Sequence, residues 1–119
     1  MQLFVLSILT GSDPVTLTLH HADPTFTVEN VRHVMDSVEP KVKMQIWEIL
    51  ILRDAFKEIQ SSGKYSTDLE KETAAIYMYV NCHPWASWER LASALYRDHQ
   101  ITAVEKVKVY LPPRGEFYN

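Results

Sequence analysis

The stretch HPWASWERLASALYRDHQITAVEKVKVYLPP, from His83 to Pro113, decides the fold class of this chain. It holds two helical periods. Ser87 is a candidate N-cap for the first helix, and the capping-box sequence TAVE predicts the start of the second. The paired prolines end the pattern, because proline cannot continue a helix. Spacings of three and four residues predict these inward positions: Trp88, Leu91, Leu95, Val104, Val107 and Leu111.

The helical period continues upstream of this stretch as far as Thr25, in four further segments. Thr27 is a candidate cap for the first helix, Pro40 interrupts before the second, and Asp54 can start a third. The sequence TDLE (67–70) is another capping box and predicts the start of a fourth. The inward positions of these four helices are Val31, Met35, Ile46, Trp47, Leu50, Ile59, Leu69, Ile76 and Val80. The expected fold is therefore all-α, an antiparallel bundle of about six short helices.

The first 24 residues follow a different pattern. Apolar residues alternate with polar ones in VTLTLH (15–20), and TGSDP (10–14) is a turn signal. Residues 2–20 are therefore predicted to form two strands, as a β-hairpin or an extended segment. An isolated hairpin is marginal in water, so it must pack on the helices or belong to a larger β-domain. The predicted parts of the chain are a β extension and linker (1–24), a helical domain (25–113) and a tail (114–119).

The overall composition limits the classes of function. The chain has 119 residues, enough for one domain with a modest core, and a net charge of −3 that offers no general attraction to nucleic acid or anionic membranes. Cys82 is the single cysteine, so no intramolecular disulfide or multi-cysteine zinc site can form, and a cytoplasmic location is expected. The N-terminus lacks the basic start and cleavage motif of a signal peptide, and no run is long enough to span a membrane.

Two signatures lie within the helical region. One is Trp47 in IWEIL, and the other is the closing stretch ASWERLASALYRDHQITAVEKVKVYL. The positions that carry the closing signature are Ser87, Trp88, Leu91, Ala94, Leu95, Ala103, Val104, Glu105 and Lys106. With TVENVRHVMDSV (27–38) as a first helix and Leu69 to Val80 as a fourth, this pattern resembles the death-domain superfamily. The similarity is closest to the divergent death-like domains of simple invertebrates, and it implies a six-helix death fold over Thr25 to Pro113.

One position departs from the family pattern. Death-fold sequences usually have a Leu-Gly turn after the tryptophan of the second helix, whereas this chain continues as ILILRDAFKEI (49–59) without a glycine. The resemblance therefore does not specify how the second helix joins the third.

The resemblance implies a non-enzymatic adaptor, because death-fold domains have no active site and act by binding one another. The implied partners are other death-fold domains in apoptotic or innate-immune signalling, and the chain itself is one candidate. No cofactor is implied, and no nucleic acid, membrane or small-molecule substrate is expected.

Charged residues on the predicted helix surfaces are the candidate interface. Arg53, Asp54, Lys57 and Glu58 place both signs on one helix, which suits head-to-tail association between different patches. Such residues are by default only solvated, since an exposed pair contributes about 0–1 kcal/mol to stability. The remaining interface candidates are Asp68, Glu70 and Glu72 in an acidic helix start, and Trp85 before the fifth helix.

Catalytic and metal sites are the first alternatives. Cys82 and His83 are the most suggestive pair, since a thiol nucleophile needs a nearby base. Sequence neighbours rarely point together and no third member is recognisable, so a packing role is the preferred interpretation. The five histidines lack the spacing of a zinc site: His20, His21, His33, His83 and His99.

Two non-enzymatic alternatives remain open from the sequence. A helix-turn-helix nucleic-acid module would need a basic helix face, and the sixth helix offers only Lys106 and Lys108 beside Glu105. A helical interaction domain whose partner is not a death fold would have the same sequence features as the preferred function.

Overall fold

The structure, a computed structural model, describes residues 21–112 of the chain. Six α-helices and a final 3-10 turn follow one another, and no strand occurs within 21–112. Their bounds are α1 Val28–Met35, α2 Pro40–Leu50, α3 Arg53–Ser61, α4 Asp68–Cys82, α5 Trp88–Arg97, α6 Ile101–Val107 and the 3-10 turn Lys108–Tyr110. The all-α prediction is confirmed for this part of the chain. The strands predicted at 2–20 and the tail at 114–119 lie outside the described residues.

The helices form one packed unit in which α2 and α4 are central. The α2 helix packs against α3, α4 and α5, while α4 also contacts α1 and α3. The α6 helix closes the bundle by packing against α1 and α5. This agrees with the sequence of α2, whose apolar residues fall on more than one face.

Four helix starts were predicted from capping residues, and three of them are confirmed. The Thr27 and Ser87 hydroxyls each accept a hydrogen bond at 3.1 Å from the backbone N–H three residues on. Thr67 and Glu70 form the full capping box, in which each side chain accepts from the backbone N–H of the other. A side chain that satisfies an orphaned N–H within three residues is a local signal, so the sequence alone reveals it.

Two helices without a capping side chain begin earlier than predicted. The α2 helix includes Pro40 as its first residue, although the sequence pattern predicts an interruption at this proline. Proline suits that position because the first N–H of a helix has no intrahelical acceptor. The α3 helix begins at Arg53, one residue before Asp54.

The capping box predicted at 102–105 does not form. The α6 helix begins at Ile101, and Glu105 instead pairs with Lys108 at 2.8 Å. The start of α6 is fixed by a long-range contact of Gln100. Its side-chain amide accepts from the Glu39 backbone N–H at 3.0 Å and donates to the Glu39 carboxylate at 3.2 Å. This contact joins the starts of α2 and α6, and it determines where α6 begins in place of the predicted capping box.

The end of α5 is a Schellman motif with histidine in the left-handed position. The Gln100 N–H donates to the Leu95 carbonyl at 2.9 Å, and the His99 N–H donates to the Tyr96 carbonyl at 3.0 Å. His99 has φ = 62°, a conformation that favours glycine because a Cβ atom crowds the backbone there.

Replacing His99 by glycine should stabilise the protein. We expect His99→Gly to raise the free energy of unfolding by about 0.5–1 kcal/mol, because it removes the left-handed penalty of an L-residue. His33→Gly is the matched control: His33 is exposed in the last turn of α1, and glycine there should cost about 1 kcal/mol. Urea denaturation measures both effects, and a loss of stability in His99→Gly would contradict the assignment.

The core contains nearly all the residues predicted for it. The predicted core residues found buried are Val31, Met35, Ile46, Trp47, Leu50, Ile59, Ile76, Val80, Trp88, Leu91, Leu95, Val104 and Val107. Leu111 is half-buried and packs against this core from the end of the 3-10 turn.

The prediction that Leu69 belongs to the core is wrong. Its side chain is 64% exposed. Leu69 shares the helix face of Ile76, seven residues on, so the phase of the pattern was right. The first turn of α4, residues 68–70, is exposed throughout, and none of the described helices covers it. Glu72 occupies the first buried position of α4 instead.

An aromatic cluster with Phe26 at its centre occupies one end of the core. The Phe26 ring meets the rings of Tyr79 and Trp88 edge-on, with centroids 5.8 and 5.2 Å away, and Trp88 stacks on Tyr110 at 4.2 Å. The Trp88 indole N–H donates to the Thr25 hydroxyl at 2.9 Å. Phe26 directly precedes the N-cap of α1, where an apolar residue commonly packs back on the helix. That signal could have revealed it from sequence.

Truncating Trp88 should abolish cooperative unfolding. The expected loss for Trp88→Ala is about 3–5 kcal/mol, a large share of the roughly 5–15 kcal/mol of a typical domain. Tyr77→Ala is the control, because Tyr77 is an exposed aromatic residue of α4. Thermal melting followed by far-ultraviolet circular dichroism separates the two. A normal cooperative melt for Trp88→Ala would show that this ring is not required for the core.

Candidate interaction surface

The junction between α2 and α3, which the resemblance leaves open, is held by side chains from the α4–α5 loop. The Leu52 N–H donates to Nε2 of His83 at 2.9 Å. The indole N–H of Trp85 donates to the Leu50 carbonyl at 3.0 Å, and the His83 and Trp85 rings meet edge-on at 4.6 Å. These contacts satisfy backbone groups on both sides of Ile51, in a turn that needs no glycine because its φ angles are negative.

His83 is a structural hydrogen-bond acceptor. Its side chain is 1% exposed, and acceptance at Nε2 requires the neutral tautomer with the proton on Nδ1. Nδ1 is buried without an acceptor in hydrogen-bonding geometry. Burial lowers the pKa of His83 to about 4. The nearby backbone of Cys82 and Met78 raises this pKa, but it only partly offsets the effect of burial. The imidazole therefore stays neutral at physiological pH.

Cys82 lacks the exposure and the lowered pKa that activate a thiol nucleophile. Its thiol is buried, and burial raises the pKa of Cys82 to about 12, so the thiolate is absent at neutral pH. The packing role expected for Cys82 and His83 agrees with this geometry.

The described histidines lie apart from one another. Nε2 of His21 donates to the Val80 carbonyl at 2.7 Å, while His33 and His99 are exposed on α1 and after α5. Within residues 21–112 no group of three or more histidine, cysteine, aspartate or glutamate side chains is placed to hold a metal ion.

Acidic pH should destabilise the protein through His83. The folded pKa lies below the unfolded value of 6.5, so the unfolded chain binds more protons between pH 6.5 and 4. This contribution to stability is complete above pH 6.5 and is lost as the pH falls toward 4. We expect a loss on the order of 1–3 kcal/mol.

His83→Gln isolates this effect, because the glutamine oxygen can accept from Leu52 without titrating. Urea denaturation at pH 7 and pH 4.5 should show a smaller pH dependence for His83→Gln than for the wild type. His33→Gln, at an exposed position, should keep the wild-type dependence. Equal pH dependence in His83→Gln and wild type would exclude His83 as the titrating group.

The four interface candidates on α3 lie together on the surface. Arg53 and Lys57 line a shallow groove of about 500 Å³ between α2 and α3, together with Glu48 from α2. Asp54 and Glu58 are exposed on the same helix. None of the four α3 residues forms an ion pair in the described part of the chain.

Of the three acidic interface candidates at the start of α4, Asp68 and Glu70 are exposed, whereas the prediction for Glu72 is wrong. Glu72 is 7% exposed and pairs with Lys43 at 3.1 Å, so it belongs to the bundle interior. One oxygen of Glu70 accepts from Ser66 and Thr67, and these hydrogen bonds lower the pKa of Glu70. Asp68 is exposed, as predicted. The run of acidic residues therefore divides into buried, capping and solvent-exposed roles.

Trp85 is half-buried and lines a second groove, of about 440 Å³, between α2 and α5. Ile49 and Leu50 contribute from α2, and Arg90 and Arg97 contribute from α5. Trp85 is one of the interface residues predicted from sequence, whereas Ile49, Arg90 and Arg97 are not. Two sequence features could have indicated these three residues. Ile49 is apolar but falls outside the predicted core positions of α2, and the two arginines are seven residues apart on one helix face.

Comparison with known proteins gives no relative: no family model, no curated protein and no solved structure matches the chain. Of the helices within 21–112, none combines the length and the apolar character that a bilayer crossing requires.

Proposed function

We propose that the chain is a non-enzymatic interaction domain of the death-fold type, which acts by associating with other death-fold domains, including further copies of itself. The setting implied by the resemblance is apoptotic or innate-immune signalling. The single observation that carries the proposal is the exposed and unpaired charge pattern of α3. The six-helix architecture of the described residues supports it.

The charges of α3 are poorly arranged for the stability of the helix itself. Arg53 and Lys57 are four residues apart, as are Asp54 and Glu58, and like charges at this spacing each cost about 0.2–0.5 kcal/mol. Asp54 and Lys57 are three apart with opposite sign, yet they form no ion pair. The helix therefore presents two adjacent stripes of opposite sign, which suits binding to two different patches of neighbouring molecules.

Two observations disfavour the other functions considered. The thiol of Cys82 is protonated at neutral pH and the neighbouring imidazole is engaged with Leu52, which argues against thiol catalysis. Lys106 donates to the His33 carbonyl at 3.1 Å, and Lys108 pairs with Glu105. The cations that a nucleic-acid-binding sixth helix would need are thus already engaged within the domain.

Reversing the two cations of α3 should abolish association without unfolding the domain. Arg53→Glu with Lys57→Glu should reduce capture by a panel of death-fold domains, and self-association, by at least about tenfold. Arg53 is the first residue of α3, where glutamate is favoured by the helix dipole, so folding should be unaffected. Pull-down, sedimentation velocity and circular dichroism provide the three readouts.

The matched control is Lys41→Glu with Lys64→Glu, which makes the same change in net charge at two exposed lysines elsewhere. It should bind as the wild type does. Full capture by the Arg53 and Lys57 variant would remove α3 from the interface. No binding of the wild type to itself or to the panel would instead favour a helical interaction domain whose partner is not a death fold.

A further inference from the structure

The groove between α2 and α5 has an apolar floor that is open to solvent. Leu50 and Ala94 are buried at its base, while Ile49 keeps 50% of its surface exposed. An isoleucine left half-exposed beside buried apolar residues offers further area for burial against a partner.

One wall of this α2/α5 groove is rigid before any partner arrives. The Trp85 indole is fixed by its hydrogen bond to the Leu50 carbonyl and by its edge contact with the His83 ring. A wall that is already ordered lowers the entropic cost of binding, and tryptophan is enriched among residues that dominate binding energy.

The rim of the groove is cationic. Arg90 and Arg97 both line it from α5, seven residues or about 10 Å apart along the helix. Neither arginine forms an ion pair in the part of the chain that the structure describes. Glu89 is the one acidic residue among the described residues that line the groove.

The shape of the site fits a helix. The groove lies between two helices, and ridges-into-grooves packing allows a third helix to lie against such a surface. A helix that places apolar side chains at i, i+4 and i+7 presents one stripe to the floor, the usual mode of helix-in-groove recognition. Carboxylates seven residues apart on that helix would match the spacing of the two arginines.

We propose that the α2/α5 groove docks an acidic amphipathic helix of a partner protein. Its apolar stripe packs on Ile49 and Trp85, and its flanking carboxylates pair with Arg90 and Arg97. This proposal concerns a different surface from the α3 interface and does not depend on the death-fold assignment.

A synthetic peptide provides the test. It has about 20 residues, longer than the roughly 12–15 below which isolated helices are marginal, with leucines at i, i+4 and i+7 and glutamates beside them. Fluorescence anisotropy of the labelled peptide should show saturable binding to the wild-type protein. Binding should weaken as salt rises from about 50 to 500 mM, because the charge contribution is screened.

Three variants dissect the site. Arg90→Glu with Arg97→Glu should weaken binding at least about tenfold, since both charge pairs are lost. Ile49→Ser, at a half-exposed position, should weaken it about fivefold through the loss of apolar burial. Lys41→Glu with Lys64→Glu, which matches the charge change away from the groove, should bind within twofold of the wild type. Circular dichroism establishes that each variant is folded.

Three results would contradict the proposed docking of an acidic helix. No saturable binding up to about 1 mM peptide, or equal binding by the arginine variant and the wild type, would overturn the proposal. Binding of a polyglutamate chain as tight as that of the peptide would also overturn it, because the groove would then be a general polyanion site. The Arg53 and Lys57 variant should still bind the peptide, so failure of the α3 interface is distinguishable from failure of this groove.

Discussion

The hydrogen bond from the Leu52 N–H to Nε2 of His83 is the constraint on which the arrangement of α2, α3 and the α4–α5 loop depends. The bond is part-buried, with His83 1% exposed and Leu52 37% exposed, and an N–H that is shielded from water without an acceptor costs about 1–3 kcal/mol. Because the imidazole is the acceptor, it must remain neutral, and its burial ensures this. The same loop carries Trp85, whose indole satisfies the Leu50 carbonyl. The α2–α3 turn and the wall of the α2/α5 groove are therefore positioned together.

The parts of the fold that were predictable from sequence depend on contacts within one helical turn. Thr27, Thr67 and Ser87 mark helix starts because each cap satisfies an N–H three residues away. The core stripes were also predictable, since they follow from helical period alone. His83 and Gln100 were not, because their acceptors and donors lie 31 and 61 residues away along the chain. No local pattern distinguishes such a side chain from a surface one.

The candidate site was less predictable than the fold, because charge in a sequence does not reveal burial or pairing. Glu70 and Glu72 are two residues apart, yet one oxygen of Glu70 serves a capping box while Glu72 neutralises Lys43 near the core. Arg90 and Arg97 are the opposite case. Each adjoins an acidic residue in sequence, a pattern typical of a solvated surface with balanced charge. In the structure both arginines line one groove from α5, and neither forms an ion pair within the described residues.

The net charge of −3 conceals how the cations are distributed around α2. The buried face of this helix packs on α4, while its exposed edge separates the two grooves: Glu48 lines one and Ile49 the other. The residues that line the grooves include two cations from α3 and two from α5 against one acid in each groove. Surface potential acts over about a Debye length, roughly 8–10 Å, so a partner senses the charges around one groove and not the sum over the chain. An acidic protein by composition can therefore offer an acidic partner a favourable local surface, which here is the rim of the α2/α5 groove, whereas α3 carries a stripe of each sign.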